Sequence, residues 1–297
     1  MKKTVFTGSA VAIVTPFYSD GSVNYDKLKE LIDYQIDNGT DAIVITGTTG
    51  ESPTLSPKEH ADVIKEAVKM VAGRVPVIAG TGSNDTAFGV AMSIDAERDG
   101  ADALLLVTPY YNKASQEGLY RHFKAIADSV SIPVILYNVP SRTGTNITVD
   151  TCKRLAEIDN IVAIKEASGN ISTVAQIIRE CGDKLDVYSG NDDQIVPIMS
   201  LGGKGVISVL ANVAPKQTHD ICQLYLDGNV KESAALANKY LHLANALFCD
   251  VNPIPVKEAM NMLGFEVGEC RLPLCETSEA NKNKIKDALV EVGLIKE

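Results

Sequence analysis

The chain has 297 residues, 45% of them hydrophobic and 22% charged, with a formal net charge of −10. That balance is ordinary for a globular protein able to bury a core without disulfides or metals. The acidic excess, with no Lys/Arg-rich run, argues against a nucleic-acid partner, and no apolar run is long enough to cross a membrane.

The N-terminal stretch "MKKTVFTGSAVAIVTPF" has a basic start and an apolar middle, but the apolar part is short, β-branched and stopped by Pro16. It reads as a first strand and not as a signal peptide. "YDKLKELIDYQIDNG" (Tyr25 to Gly39) follows as a helix, with Leu28, Leu31, Ile32 and Gln35 at helical spacing and Gly39 as its stop. "DAIVITG" is the second strand. "SPKEHADVIKEAVKMVAG" (Ser56 to Gly73) is a second helix, with Ser56 as cap, Pro57 in the first turn and Glu59 three residues past the cap. The same alternation continues through "PVIAGTG", "ADALLLVTP", "PVILYNVP", "IVAIKEAS", "LDVYSGN" and "GVISVL", giving eight strands in all.

Strands that are apolar almost throughout belong to a parallel sheet covered on both faces. Eight strand–helix units without a long break predict an α/β fold of the (β/α)8 TIM-barrel type over residues 1–228. An open doubly wound sheet is the alternative. It would carry a glycine-rich dinucleotide turn, and "GTGSND" lacks the third glycine. About three further helical segments make a small C-terminal helical extension over residues 229–297.

Cys152, Cys181, Cys222, Cys249, Cys270 and Cys275 form no C-x-x-C pair and no zinc-finger spacing. They read as reduced thiols of a cytoplasmic protein. The histidines, His60, His122, His219 and His242, all fall in helices, away from the strand ends where a metal-dependent barrel hydrolase would need them.

Barrel chemistry gathers at the C-terminal ends of the strands. The polar residues there are Thr15, the run Thr46-Gly47-Thr48-Thr49-Gly50-Glu51, Asn84, Tyr110 and Tyr111, Tyr137 and Arg142, Lys165, and Gly190-Asn191-Asp192. Lys165 interrupts a buried strand and shares a face, by strict alternation, with Ile161, Ala163 and Ala167. An ordinary lysine, with a pKa of ~10.4, is protonated at neutral pH, and burial lowers that value by roughly 3–5 units. A neutral amine is a nucleophile toward carbonyl carbon. The plain alternative is a structural salt bridge. Its nearest partner in sequence, Glu166, points to the other face of the strand. Taken alone, Tyr137 is a packed core tyrosine or a proton carrier. "GTTGES" is either a turn of good turn formers or a carboxylate site built from hydroxyls and backbone N–H groups. Arg142 is a solvated arginine or a bidentate carboxylate grip.

In order and interval, "GTTGES", "TPYYN", "YNVPSRTG" and "IVAIKEASG" closely resemble the dihydrodipicolinate synthases. These sit within the pyruvate-dependent class I aldolases, the N-acetylneuraminate lyase superfamily. The resemblance runs from "GSAVAIVTPF" to "NPIPVKEAMNMLG". It implies a Schiff base between Lys165 and pyruvate, proton transfer by Tyr137, and a hydroxyl relay from Tyr137 through Thr48 to Tyr111; with the iminium as electron sink, it implies no metal and no cofactor. In the family that tyrosine enters from a neighbouring subunit of a homo-oligomer, mostly a tetramer of paired dimers. It further implies Thr49 as a carboxylate ligand and Gly190 and Ile207 as backbone positions lining the pocket. Arg142 would receive the carboxylate of L-aspartate 4-semialdehyde. Arg142 favours the synthases over the neuraminate or keto-deoxy-gluconate lyases, which tend to have an apolar or small residue there. Asn252, in "VNPIP", is a further residue expected near the site. One departure concerns feedback by lysine, which family members bind through a glutamate and histidines. Phe88 stands where the glutamate is expected and Pro57 where a histidine stands, while His60, Asn84 and Tyr110 remain. Little inhibition by lysine is the expectation.

Overall fold

The eight apolar runs are eight parallel strands in the computed structural model, which describes residues 2–296. Strands and helices alternate as β1 (Gly8–Ala12), α1 (Tyr25–Asp37), β2 (Ala42–Ile45), α2 (Pro57–Val71), β3 (Val77–Gly80), α3 (Thr86–Arg98) and β4 (Ala103–Val107). There follow α4 (Gln116–Ala127), β5 (Val134–Asn138), the short α5 (Pro140–Thr143), α6 (Val149–Leu155), β6 (Ile161–Glu166) and α7 (Ile171–Cys181). The barrel ends with β7 (Asp186–Ser189), α8 (Ile195–Ser200), β8 (Gly205–Ser208) and α9 (Pro215–Leu226). Three helices come after it: α10 (Val230–Ala246), α11 (Ile254–Met262) and α12 (Glu279–Glu291). The strands pair in sequence order, and β1 closes on β8, so the sheet is a TIM barrel and not an open sheet. At that seam Gly205 (φ +146°) lies against Gly8, where a Cβ would come 1.8 Å from the Gly8 carbonyl oxygen. Only glycine fits.

Alternation sorts the strand residues into two layers. Val11, Ile43, Leu104, Leu106 and Ile164 face outward into the helix layer, whereas Ala10, Val44, Ile78, Leu105, Ile135 and Ile207 fill the barrel. The helices supply the matching stripe: in α1 the buried residues are Leu28, Leu31, Ile32 and Gln35. In α2 the Ser56 side chain accepts from Glu59 N and the Glu59 carboxylate accepts from Ser56 N. Such a reciprocal cap is worth about 1 kcal/mol. All six cysteines are free.

One expectation fails. Ile161 does not share a face with Lys165. The pairing of β5 with β6 runs Val134↔Ile161 and then Ile135↔Ala163, so Val162 is an extra residue in the ladder. This bulge breaks the alternation: Ile161 packs outward among the helices, and Val162 and Ala163 both turn inward. At the same end of the barrel the Lys2 ammonium donates to the carbonyls of Ala156, Ile158 and Ile161 at 2.6, 2.6 and 2.7 Å. The interior is closed below by Phe6 stacked on Tyr188, ring centroids 4.2 Å apart.

Candidate active site

The upper pole, at the C-terminal ends of the strands, holds a cavity of about 170 Å3. Lys165 reaches it from β6, Tyr137 from β5, Thr48 and Thr49 from the loop after β2, Arg142 from α5 and Gly190 from the end of β7. Six of the residues singled out in the sequence therefore meet in one space.

Lys165 is 5% exposed. Burial lowers its pKa to about 7; Asp192 opposes the shift and the Arg142 charge adds to it. About half of the amine is thus neutral, and nucleophilic, near pH 7. Glu166 is no partner for it, as alternation requires: its carboxylate accepts from Asn138 Nδ2 (2.9 Å) and from Ser168 N (2.6 Å) on the outer face. Space for the lysine depends on Gly190, where a Cβ would lie 2.6 Å from Ala167 Cβ and 3.0 Å from Lys165 Cε. Tyr137 pairs in register with Lys165. Burial holds its phenol above the ordinary tyrosine range, and the charge of Arg142 and the adjacent Thr48 hydroxyl draw it partly back.

The loop carrying Thr48 and Thr49 is held from two sides. The Thr15 hydroxyl donates to the Gly50 carbonyl at 2.7 Å, and Asn252 Nδ2 donates to Thr49 Oγ1 at 3.0 Å. Because Thr49 Oγ1 accepts from Asn252, its own proton is free to be donated into the cavity. Asn252, Asn191 and Phe248 also line this space. The "VNPIP" segment pointed to Asn252, but nothing in the sequence marked Phe248. Asp192 sits behind the wall, where its Oδ2 accepts from Val209 N (3.1 Å) and Leu210 N (2.9 Å) and burial raises its pKa.

Two of the expected residues lie elsewhere. Ile207 is fully buried within the barrel and does not line the cavity, whereas Val209 does. Tyr111 is 92% exposed, in a left-handed conformation (φ +71°), and lines neither this cavity nor its neighbour within the single chain. A second, larger cavity of about 410 Å3 adjoins the first and shares Thr48, Tyr137 and Arg142 with it. Its other walls include Leu55, Pro57, Phe88, Met92 and Tyr110.

A family model described as the dihydrodipicolinate synthetase family matches residues 5–292. The chain belongs to that family. Among curated members, the 4-hydroxy-tetrahydrodipicolinate synthase of Acetivibrio thermocellus is 58% identical over 295 residues, 99% of this chain and 100% of the relative. The solved dihydrodipicolinate synthase of Thermotoga maritima superposes with a TM-score of 0.96 at 41% identity, covering 98% of this chain and 100% of that one. A monomeric dihydrodipicolinate synthase variant superposes equally well, with TM-score 0.96, 41% identity and 98% of each chain covered.

Proposed function

We propose that the chain acts as a dihydrodipicolinate synthase, condensing pyruvate with L-aspartate 4-semialdehyde to 4-hydroxy-tetrahydrodipicolinate in the diaminopimelate route of lysine biosynthesis. Full-length identity of 58% to a 4-hydroxy-tetrahydrodipicolinate synthase supports the reaction. The observation that carries the chemistry is the buried Lys165 amine, with its pKa lowered to about 7, at the mouth of a barrel.

The neutral Nζ attacks C2 of pyruvate, and the C2 oxygen leaves as water after protonation by Tyr137. The resulting iminium acidifies C3, which loses a proton to Tyr137 and becomes an enamine. The iminium is the electron sink, so the sequence of steps requires no metal or cofactor. The enamine carbon adds to the aldehyde carbon, whose oxygen takes up the proton. The amino group of the second substrate then attacks C2 and displaces Lys165, closing the ring and restoring the amine. Thr48 passes protons between Tyr137 and Tyr111, Thr49 holds the pyruvate carboxylate, and Arg142 takes the carboxylate of the aldehyde. Gly190 keeps the wall clear.

Tyr111 can join the relay only from a second copy of the chain, so a homo-oligomer, a tetramer of paired dimers, completes this reading. Residues 1–228 form the catalytic barrel and residues 229–297 the helical extension. Six free thiols fit a cytoplasmic location. Borohydride reduction with pyruvate should leave a covalent adduct on Lys165, and the trapped enzyme should be inactive. A protein that cleaves N-acetylneuraminate and fails to condense the semialdehyde would be a lyase instead.

A further inference from the structure

The loop from Thr46 to Glu51 takes a path its residues do not favour. Thr46 (φ +52°) and Glu51 (φ +54°) are both left-handed and neither is glycine. Strained residues of this kind persist where their surroundings over-determine them. Thr46 is held locally: its hydroxyl lies 2.7 Å from the Ile45 carbonyl oxygen and 3.2 Å from that of Gly80. Glu51 is held from far along the chain. Its carboxylate is completely buried and accepts from Lys257 Nζ in α11 and from Arg271 N, each at 2.9 Å. Lys257, 2% exposed, also donates to the Glu269 carbonyl at 2.7 Å and lies 4.4 Å from the centre of the Phe17 ring. Arg271 covers the same ring and donates to Glu59, Gly21 O and Thr54 O. Neither Glu51 nor Lys257 lines a cavity at the barrel mouth.

A buried ion pair is a weak stabiliser, because desolvation offsets most of its attraction. What this pair does locally is fix the end of a strained six-residue loop whose middle is Thr48 and Thr49. We propose that Glu51 and Lys257 are a positioning pair for the reaction, holding the loop so that Thr49 faces the keto-acid carboxylate. The C-terminal helical extension is on this account part of the pyruvate site. The inference rests on the role given to Thr49 above.

The test compares the parent with Lys257→Met and with the double variant Glu51→Gln/Lys257→Met, which removes both charges. Thermal midpoint, kcat, and the pyruvate concentration giving half-maximal borohydride-trapped adduct are measured on each. The double variant is expected to melt within about 10 °C of the parent, since neutral replacement of a buried pair is well tolerated. Its half-saturation should rise about tenfold or more, with kcat lowered less than about threefold, the pattern of lost ground-state positioning. The single variant, left with an unpaired buried carboxylate, should show the same rise and a lower midpoint. A double variant that traps pyruvate at the parental half-saturation overturns the proposal. So does one that melts more than about 10 °C lower, which would make the pair a fold stabiliser. Failure of the parent itself to form an adduct removes the functional reading, and this inference with it.

Discussion

Lys165 and Tyr137 are register partners on neighbouring strands, and the lysine Nζ lies 4.3 Å from the centre of the tyrosine ring. The ring face favours an ammonium, while burial favours the neutral amine and dominates, lowering the pKa to about 7. For pyruvate, kcat/KM should therefore climb with pH up to about 7 and level off above it. Replacing Lys165 with Met should abolish the trapped adduct and reduce activity by about four orders of magnitude or more. A profile flat between pH 5 and 9 would contradict the assignment.

The same shift bears on stability. The folded-state pKa of about 7 lies below the ordinary lysine value of 10.5 that the unfolded chain has. Between those values the unfolded state binds more protons, so the lysine's destabilising contribution is full below pH 7 and fades as pH rises toward 10.5. The advantage in thermal midpoint of Lys165→Met over the parent should shrink across that interval, which calorimetry at several pH values can follow.

Arg142 is exposed and borders both cavities. Changing it to Ala should alter stability by no more than about 0.5 kcal/mol. It should raise the KM for the aldehyde by about 10- to 100-fold, the loss of a charged hydrogen bond, and leave adduct formation with pyruvate intact. Loss of the adduct would place Arg142 in the first half-reaction instead.

Gly190→Ala is a test of space alone. The added methyl would press on Ala167 and on Lys165 Cε, moving the amine by a fraction of an ångström. Misplacement on that scale is expected to lower kcat about 100-fold. Circular dichroism should show the barrel unchanged.

Lysine should inhibit weakly. The larger cavity presents Phe88, 39% exposed, together with Pro57 and Met92. His60 turns away, its Nε2 hydrogen-bonded to the Gly80 carbonyl at 2.9 Å, and Asn84 is tied to the Tyr110 carbonyl. An amino group entering there meets no carboxylate from these residues. Turnover at millimolar lysine should stay close to turnover without it, and strong suppression would sink this expectation.

The barrel was legible in the sequence because parallel strands covered on both faces must be apolar throughout, and turn chemistry separates them. The helix faces were legible for the same reason, down to Gln35 in the buried stripe of α1. Residues carried on strand ends, Lys165, Tyr137 and Gly190, were placed at one pole by topology alone. The misplacement of Ile161 has a clear cause: Val162 is apolar and suits either face, so the bulge leaves no trace in the pattern. Asn252, Lys257 and Phe248 reach the site or its loop from 200 residues downstream of the threonines, a closeness that periodicity does not encode. Tyr111 was noticed for its place after β4, yet its left-handed backbone and its exposure are properties of the folded loop.

The extra residue at Val162 has a mechanical consequence. It shifts the inward–outward alternation by one residue between the beginning of β6, where the Ile161 carbonyl accepts from the Lys2 ammonium, and its reactive tip. The direction of the amine is then set by cross-strand partners at the tip, Tyr137 and Tyr188, and not by the point at which the strand starts.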